Sequence, residues 1–267
     1  MTEVLIEKFS RDNGGSWGEI TLNRPEKKNA MNSEIVSGLM EMLNRIRTDP
    51  EIRVGIVAGS GNTFSAGADL KARAQAGGGR GEDSSPASIV ATDFSMNWST
   101  TQIEKPLVAA VDGFCLGAGF ELALACDIRI CSPGAQFGLP EITLGFFPGA
   151  GGVQRLVRTL PQSLALEMLL TGSRLDAEKA ERFGLVSRVL PSEMLMNESL
   201  SIANKIAFNA PLAVRAVKEI SRWSRDHSLE ESLRYGNSLR WAIGQTEDAK
   251  EGPRAFSERR APIFKGT

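Results

Sequence analysis

Val54-Gly55-Ile56-Val57-Ala58 is a short and continuously apolar run. A run of this kind, without a polar residue at every second position, is typical of a strand that is buried on both faces. Residues 106–111 repeat this character, and residues 127–131 form a third such segment after a helical pattern that begins near Gly117. Strands that alternate with helices in this way predict an α/β fold.

The segments before this run predict a hairpin and a helix. Val4 to Phe9 and Trp17 to Leu22 are rich in β-forming residues, and the turn-like Asp12-Asn13-Gly14-Gly15 separates them. Apolar residues then recur at helical spacing between the cap Asn32-Ser33 and the stop Asp49-Pro50. The N-terminal part is therefore expected to supply two paired strands and one amphipathic helix.

The rest of the chain divides into two parts. Beyond about Pro191 every stretch has a helical pattern, so we predict a core of residues 1–191 and a C-terminal helical region of residues 192–267. Between Leu70 and about Ser95, Gly, Ser, Asp and Ala dominate with little periodicity. We expect a mobile loop there, and a loop of that length is usually either functional or disordered.

The charge balance argues against several classes of function. The chain carries 31 Lys and Arg against 32 Asp and Glu, a formal net charge of −1. No strong global field is available to attract nucleic acid or an anionic membrane, so we expect neither as a partner. The single histidine, His227, excludes a multi-histidine metal site within one chain. It lies in a polar turn and is interpreted as a solvated cap residue, so acid–base chemistry is expected from carboxylates.

Cys115, Cys126 and Cys131 are odd in number and lie in apolar surroundings, which predicts reduced thiols in the core. The first eight residues carry acids where a signal peptide needs a basic and then a long apolar segment. No apolar run of 18 residues occurs in the sequence. We therefore expect a cytoplasmic location.

The sequence lacks the common glycine-containing motifs for nucleotide binding and for a serine nucleophile. Gly149-Ala150-Gly151-Gly152 lacks the third glycine of a dinucleotide fingerprint and follows no clear strand, and no Walker loop occurs. A G-x-S-x-G nucleophile elbow is also absent, which argues against serine hydrolase chemistry.

Two glutamates are better candidates for chemistry. Glu121 belongs to a helix that is apolar nearly all round and follows the flexible Gly117-Ala118-Gly119. Glu141 lies among apolar residues before a glycine-rich turn. Burial would raise the pKa of either carboxyl group toward the range useful for proton transfer. Each glutamate could equally be a first-turn acid that complements a helix dipole.

The glycine-rich turns suggest a second element of a site. Ser65-Ala66-Gly67-Ala68-Asp69 and Gly117-Ala118-Gly119 each expose backbone N–H groups at the start of a helix. Two N–H groups that converge on one point stabilise an oxyanion. Taken singly, either turn could be a tight loop without a ligand.

Four ordered motifs resemble the crotonase (enoyl-CoA hydratase/isomerase) superfamily. They are Leu22-Asn23-Arg24-Pro25-Glu26-Lys27-Lys28-Asn29-Ala30, Phe64-Ser65-Ala66-Gly67-Ala68-Asp69-Leu70, Lys105-Pro106 to Leu124, and Gln136-Phe137-Gly138-Leu139-Pro140-Glu141 to Arg155-Leu156. The resemblance continues through Ala180 to Val186 and ends with Phe256-Ser257-Glu258-Arg259-Arg260, so it spans nearly the whole chain.

This resemblance implies a spiral of ββα repeats, a C-terminal helical region used in trimerisation, and acyl-CoA thioesters as substrates. The backbone N–H groups of Ala66 and Ala118 would form an oxyanion hole at the thioester carbonyl. Glu121 would activate water for attack at C3, Glu141 would deliver a proton to C2, and Gly149 would help to hold the water. No separate cofactor is implied, because coenzyme A enters as part of the substrate.

The resemblance also assigns residues that bind the substrate. Lys27 and Lys28 would meet the phosphates of coenzyme A, with a solvated basic turn as the alternative. One turn would contact the substrate through four residues, Ala66, Gly67, Ala68 and Asp69. Independently of the resemblance, we expect the stretch from about Lys71 to Ser95 to form a flexible wall of the acyl pocket, because it directly follows the turn at Ala66 and is too polar to be core. Arg259 matches a basic residue that approaches the ligand, in some members from a neighbouring subunit of a homotrimer or homohexamer.

Two other kinds of function stay open. A crotonase relative could instead isomerise an enoyl-CoA, dehydrate a modified acyl-CoA or cleave a C–C bond, but the pair Glu121 and Glu141 favours hydration. Some crotonase relatives are implicated in RNA binding. The net charge of −1 and the absence of an aromatic and basic stripe argue against that role here.

Overall fold

The computed structural model describes residues 3–10, 16–75 and 103–267. The strands are β1 Val4–Ser10, β2 Ser16–Leu22, β3 Ile52–Gly59, β4 Leu107–Val111, β5 Phe114–Leu116, β6 Ile128–Cys131, β7 Gln136–Gly138 and β8 Arg174–Asp176. The α-helices are α1 Ser33–Thr48, α2 Leu70–Gln75, α3 Ala118–Ala125, α4 Gly152–Leu156, α5 Gln162–Thr171, α6 Ala177–Arg182, α7 Ser192–Phe208, α8 Pro211–Trp223, α9 Leu229–Gly244 and α10 Glu247–Ser257. Short 3₁₀ helices occur at Pro25–Lys27 and Pro140–Leu144.

The larger sheet has the strand order β1-β2-β3-β4-β6. β1 and β2 form the predicted antiparallel hairpin, with Val4 opposite Leu22. β2, β3, β4 and β6 are parallel neighbours, with Val57 opposite Ala109 and Ala109 opposite Arg129. Parallel neighbours need crossover connections, and helices in these connections cover the faces of the sheet. This is why β3 and β4 lack alternating polar residues, as predicted.

A smaller sheet has the order β5-β7-β8, and its strands β5 and β7 follow β4 and β6 along the chain. The chain passes from β4 in the larger sheet to β5 in the smaller one, continues through α3, and returns to β6 and then β7. This order is a ββα repeat. It places the start of α3 where the two sheets meet, beside the turn that follows β3.

Helices pack on both faces of the larger sheet. Ile46 of α1 and Val57 of β3 belong to one buried cluster. Ile56 of β3 and Ile202 of α7 belong to a second cluster on the opposite face. Because α7 completes that second core, the predicted boundary after residue 191 does not separate two hydrophobic cores. The division into 1–191 and 192–267 stays a prediction.

The helices α7 to α10 confirm the predicted helical character of the C-terminal region. His227 lies exposed between α8 and α9, where its ring stacks on Trp223 at a centroid distance of 3.7 Å. In the described part of the chain, no helix combines the length and the apolar character needed to cross a bilayer. The cysteines Cys115, Cys126 and Cys131 are free and buried, which confirms the predicted core thiols.

The Gly/Ser-rich stretch begins as a helix. Leu70–Gln75 forms α2, so the prediction of a loop from Leu70 onward is wrong for these six residues. The Asp69 carboxylate stabilises this helix start, because Oδ1 accepts the N–H groups of Lys71 at 3.2 Å and Ala72 at 3.1 Å. The rest of the predicted loop and pocket wall, up to Ser95, lies outside the described residues.

Lys105 connects the end of α1 to the start of β4. Its side chain is only 2% exposed, and Nζ donates to the carbonyl of Ile46 at 2.8 Å and to the carbonyl of Asp49. Carbonyl groups in the last turn of a helix lack intrahelical donors, so the ammonium group satisfies them and complements the helix dipole. Burial lowers the pKa of Lys105 to about 8.

The substitution Lys105→Met should lower the free energy of unfolding by about 2–4 kcal/mol, because two carbonyl groups lose their donor inside the protein. Lys205→Met on the exposed side of α7 is the matched control and should change it by less than about 0.5 kcal/mol. Denaturant unfolding of both variants measures the difference. Equal stability of the two variants would contradict the anchoring role.

Candidate active site

Ser65 joins the two glycine-rich turns. Its N–H donates to the Phe114 carbonyl at 2.8 Å, and its carbonyl accepts the Leu116 N–H at 2.9 Å. A Cβ atom on Gly119 would lie 2.5 Å from the Ser65 Cβ, so glycine is required for this close approach. The turn of residues 65–69 therefore lies directly against the turn that begins α3.

Gly67 and Gly117 are adjacent across this contact. Both have positive φ angles, +95° and +51°, which favour glycine. A Cβ atom on Gly117 would lie 3.5 Å from the Gly67 Cα and 3.1 Å from the Glu141 Oε1. The fold thus brings both predicted turns and the Glu141 carboxyl group into one place.

The backbone N–H groups of the first turn have different partners. The Ala66 N–H donates to the Lys28 carbonyl at 2.9 Å, the Gly67 N–H to the Ser65 Oγ at 3.2 Å, and the Asp69 N–H to the Met31 carbonyl at 2.9 Å.

This pattern corrects one predicted donor. Because the Ala66 N–H is already used to hold the turn, the prediction that Ala66 supplies an oxyanion donor is wrong. Within the described residues, Ala68 is the position of this turn whose N–H has no acceptor.

The second turn also presents an N–H group. The Gly117 N–H donates to the Gly138 carbonyl at 2.9 Å, which fixes the turn against the smaller sheet. Ala118 follows as the first residue of α3. The first N–H of a helix has no intrahelical acceptor, and the described residues supply no other acceptor for it. Ala118 therefore keeps the predicted capacity to donate to a ligand.

Glu121 is buried and firmly held. Its side chain is 2% exposed, and Oε1 accepts the N–H groups of Ala150 at 2.7 Å and Gly152 at 2.8 Å. Burial raises the pKa of Glu121, while these two hydrogen bonds and the charge of Arg155 oppose that rise. The two hydrogen bonds favour the ionised carboxylate, because Oε1 acts only as an acceptor in both.

Glu141 has a contrasting environment. It lies in the 3₁₀ helix Pro140–Leu144, its side chain is 8% exposed, and Oε2 has no hydrogen-bond partner. Burial raises the pKa of Glu141 to about 7, and the charge of Glu121 acts in the same direction. The structure therefore places two interacting carboxyl groups with different hydrogen-bond environments beside the glycine-rich turns.

Gly149 lies at the start of the loop that holds Glu121. A Cβ atom there would meet no atom within 4 Å, so this position borders open space. Together with Gly151 it forms one side of a cavity of about 440 Å³. The predicted position of Gly149 near the two glutamates is consistent with this loop geometry, because the next residue, Ala150, binds Glu121 directly.

The predicted basic turn is attached to the site through its backbone. Lys27 and Lys28 are exposed, and the Lys28 carbonyl accepts the Ala66 N–H. The buried Asn29 holds this turn in place, because Nδ2 donates to the Thr63 carbonyl at 2.6 Å. Asn29 was missed by the sequence prediction, and its position directly after two exposed lysines gave little sign of burial.

Two predicted substrate contacts have other surroundings in the structure. The Asp69 carboxylate forms an ion pair with Arg24 at 2.7 Å, so its side chain is occupied within the protein. Arg259 lies after α10 with an exposed side chain, and its N–H donates to the Phe256 carbonyl at 3.2 Å. No contact within the described residues brings Arg259 to Glu121 or Glu141 of the same chain.

The sequence prediction also missed the groups that hold Glu121. The donors Ala150 and Gly152 belong to the glycine-rich segment of residues 149–152, in which only Gly149 has a predicted role. A buried carboxylate needs donors, and a nearby glycine-rich turn is a good source of backbone N–H groups. That combination is the signal that could have identified them.

A comparison of the whole sequence with family profiles gives a match over residues 13–267 to enoyl-CoA hydratase/isomerase. The chain belongs to the enoyl-CoA hydratase/isomerase family. Members act on coenzyme A thioesters by hydratase or dehydratase chemistry, and the chain is an enzyme of this family. The predicted crotonase-like spiral fold is confirmed by the same comparison and by related structures.

Three relatives show how extensive the similarity is. The 2,3-dehydroadipyl-CoA hydratase of Escherichia coli is 42% identical over 248 residues, which cover 92% of this chain and 94% of that protein. The carnitinyl-CoA dehydratase of Salmonella arizonae is 44% identical over 98% of this chain and 100% of that protein. The crystal structure of an enoyl-CoA hydratase from Mycobacterium tuberculosis has a TM-score of 0.87 at 36% identity and covers 100% of both chains.

The substitution Gly152→Ala should lower turnover of crotonyl-CoA by about 10²-fold, because small displacements of reacting groups have effects of this size. The new Cβ would lie 2.9 Å from the Cγ and Oε1 of Glu121 and would displace that carboxylate. Gly134→Ala is the matched control, since a Cβ there meets nothing within 4 Å. Steady-state kinetics would refute the positioning role if both variants kept the rate of the unmodified enzyme.

Proposed function

We propose that this enzyme is an enoyl-CoA hydratase, which adds water across the 2,3 double bond of a 2-enoyl-CoA thioester to give a 3-hydroxyacyl-CoA. The main support is the contrast between the two carboxyl groups of the site. Glu121 accepts two backbone N–H groups that oppose the rise of its pKa on burial, whereas Oε2 of Glu141 has no hydrogen-bond partner and burial raises the pKa of Glu141 to about 7. Hydration needs one general base and one general acid, and this pair supplies both.

Glu121 is assigned the base. Its hydrogen bonds with Ala150 and Gly152 stabilise the ionised form and fix the direction of the carboxylate. An ionised carboxylate can accept a proton from water while the oxygen of that water attacks C3. Gly149, at the open start of the same loop, is assigned a backbone contact to this water.

Glu141 is assigned the acid. With a pKa of about 7, a substantial fraction of its carboxyl groups carries a proton near neutral pH. The Oε2 atom is buried without a partner inside the protein. A buried polar atom of this kind is explained if it contacts the substrate or the water during the reaction, where the proton moves to C2.

The thioester oxygen gains negative charge as water adds, and Ala68 and Ala118 are assigned as its donors. Each follows one of the adjacent glycines Gly67 and Gly117, and neither N–H has an acceptor within the described residues. A pair of fixed N–H groups stabilises such an oxyanion without reorganisation. Loss of one donor of this type typically costs about 2.7–4 kcal/mol of transition-state stabilisation.

The same residues can also serve the reverse reaction. Elimination of water from a 3-hydroxyacyl-CoA requires the base and acid to exchange roles, so one site supports hydratase and dehydratase chemistry. The names of the relatives describe acyl groups of different charge, and they leave the acyl group of this enzyme open. An isomerase needs only one proton-transferring acid, which makes it the weaker alternative for a site with two.

Binding of the substrate is proposed to use the basic turn and no separate cofactor. Lys27 and Lys28 are exposed beside the turn of residues 65–69 and are available to phosphates of coenzyme A. All proton-transferring and oxyanion-stabilising groups in the proposed reaction come from the chain itself. The buried, free thiols fit a reducing cytoplasmic compartment.

We also propose that the enzyme works as a homotrimer or homohexamer. The C-terminal helices expose large apolar side chains that one chain leaves in contact with water, namely Val217, Leu229, Leu233, Trp241 and Phe256. A closed symmetric assembly would bury such side chains. In that arrangement Arg259, whose side chain is exposed and has no contact with the two glutamates within the described residues, is available to contact a substrate bound by a neighbouring subunit.

The substitutions Glu121→Gln and Glu141→Gln should each lower kcat for hydration of crotonyl-CoA by about 10²–10⁴-fold, because each removes one proton-transferring group. Glu178→Gln on the exposed side of α6 is the matched control and should leave kcat unchanged. The loss of absorbance of the enoyl thioester measures the rate. A folded variant of either glutamate with nearly full activity would show that the two-carboxylate assignment is wrong.

A further inference from the structure

The cavity behind the Glu121 loop is strongly basic. It has a volume of about 440 Å³, and Gly149 and Gly151 form its side toward the active site. The rest of its lining is supplied mainly by charged side chains, namely Arg155, Arg158, Arg222, Arg225 and Asp226. Arg155 lies in α4 and Arg158 follows it, whereas Arg222 lies in the last turn of α8, and Arg225 and Asp226 follow that helix. We refer to Arg155, Arg158, Arg222 and Arg225 as the arginine pocket.

The positive charge of the arginine pocket is only partly compensated. Four guanidinium groups face one carboxylate in the lining, and Asp226 pairs with Arg158 at 2.9 Å. Arg222 and Arg225 form no ion pair within the described residues. Arg155 is already engaged within the protein, because its guanidinium group donates to the Ala150 carbonyl at 3.0 Å and the charge of Glu121 opposes the fall of its pKa on burial. The charge that the protein leaves uncompensated in the pocket is therefore that of Arg222 and Arg225. The cavity therefore favours an anion over a neutral or cationic group.

The pocket is continuous with the catalytic loop. Ala150 and Gly152 direct their N–H groups toward Glu121, while the intervening Gly151 and the preceding Gly149 line the cavity. Arg155 lines the cavity, and it is also close enough to Glu121 that its charge lowers the pKa of that carboxyl group. The loop that holds the base thus has the reacting carboxylate on one side and the arginine pocket on the other.

We propose that the arginine pocket binds a carboxylate at the far end of the acyl group, so that coenzyme A thioesters of dicarboxylic acids are the preferred substrates. This inference rests on the proposed function and specifies its substrate class. Guanidinium groups bind carboxylates through paired, charge-assisted hydrogen bonds, and such bonds fix both the position and the direction of the bound group. An acyl group with a methyl end would leave the charges of Arg222 and Arg225 uncompensated, and one with a cationic end would be repelled.

Binding of two saturated thioesters tests this inference without turnover. Adipyl-CoA and hexanoyl-CoA have the same chain length and differ only in a terminal carboxylate or methyl group. Titration calorimetry with the intact enzyme should show that adipyl-CoA binds at least about tenfold more tightly, as expected for charge-assisted hydrogen bonds. Added NaCl should reduce this ratio, because salt screens exposed charges.

The double variant Arg222→Gln/Arg225→Gln should abolish most of the preference for adipyl-CoA and leave the affinity for hexanoyl-CoA within about twofold. Both arginines are exposed, and the variant retains Arg155, which acts on the pKa of Glu121. Arg45→Gln on the exposed side of α1 is the matched control and should preserve the preference.

Three outcomes would overturn the inference. The first is equal affinity of the unmodified enzyme for the two thioesters. The second is an unchanged preference in the double variant. The third is an equal loss of affinity for both thioesters, which would show that the arginines bind phosphates of coenzyme A instead.

Failure of the proposed function has a different signature. An enzyme that prefers adipyl-CoA but does not hydrate crotonyl-CoA or an unsaturated dicarboxylic thioester would retain the arginine pocket and lose the hydratase assignment. An enzyme that hydrates crotonyl-CoA but binds adipyl-CoA and hexanoyl-CoA equally would retain the hydratase assignment and lose the carboxylate-binding role of the arginine pocket.

Discussion

The hydrogen bonds between the Glu121 carboxylate and the N–H groups of Ala150 and Gly152 are the interaction on which the site depends. A buried carboxylate without donors is unfavourable by several kcal/mol, on the order of the desolvation cost of an unpaired charge. The apolar helix α3 can therefore place Glu121 in the interior only when the loop of residues 149–152 folds against it. The same loop determines where Gly149 and one side of the arginine pocket lie. One buried charge therefore organises the groups that are proposed to act as the base, to hold the water and to bind the end of the acyl group.

The ββα spiral supplies the second constraint, which is the contact between the two glycine-rich turns. Ser65 forms backbone hydrogen bonds with Phe114 and Leu116, and Gly119 approaches its side chain without a Cβ atom. This contact leaves little freedom for the N–H groups that follow. Preorganised donors of this type stabilise developing charge more effectively than mobile ones, because they do not reorient during the reaction. In the proposed reaction, the geometry of the turns therefore serves catalysis as well as packing.

The sequence predicted the features that depend on local pattern. The apolar run of β3, the capped helix α1 and the burial of Glu121 all follow from residue type and spacing, and the structure confirms them. The donor Ala68 could not be separated from Ala66 in this way, because the distinction depends on a hydrogen bond to Lys28 from a different segment. The arginine pocket escaped prediction for the same reason. Its members are distant in sequence, and only the packing of α8 near α4 brings them together.

The pH dependence of kcat/KM for hydration of crotonyl-CoA tests the assignment of base and acid most directly. Glu141 must be protonated to donate, and its pKa is about 7, so kcat/KM should fall as the pH rises through about 7. Glu121 must be ionised to accept a proton, so the rate should also fall in acid, and the two limbs report the titration of the coupled pair. A bell-shaped profile with its descending limb near pH 7 is the predicted result. A value of kcat/KM that stays constant from about pH 6 to about pH 9 would contradict proton donation by Glu141.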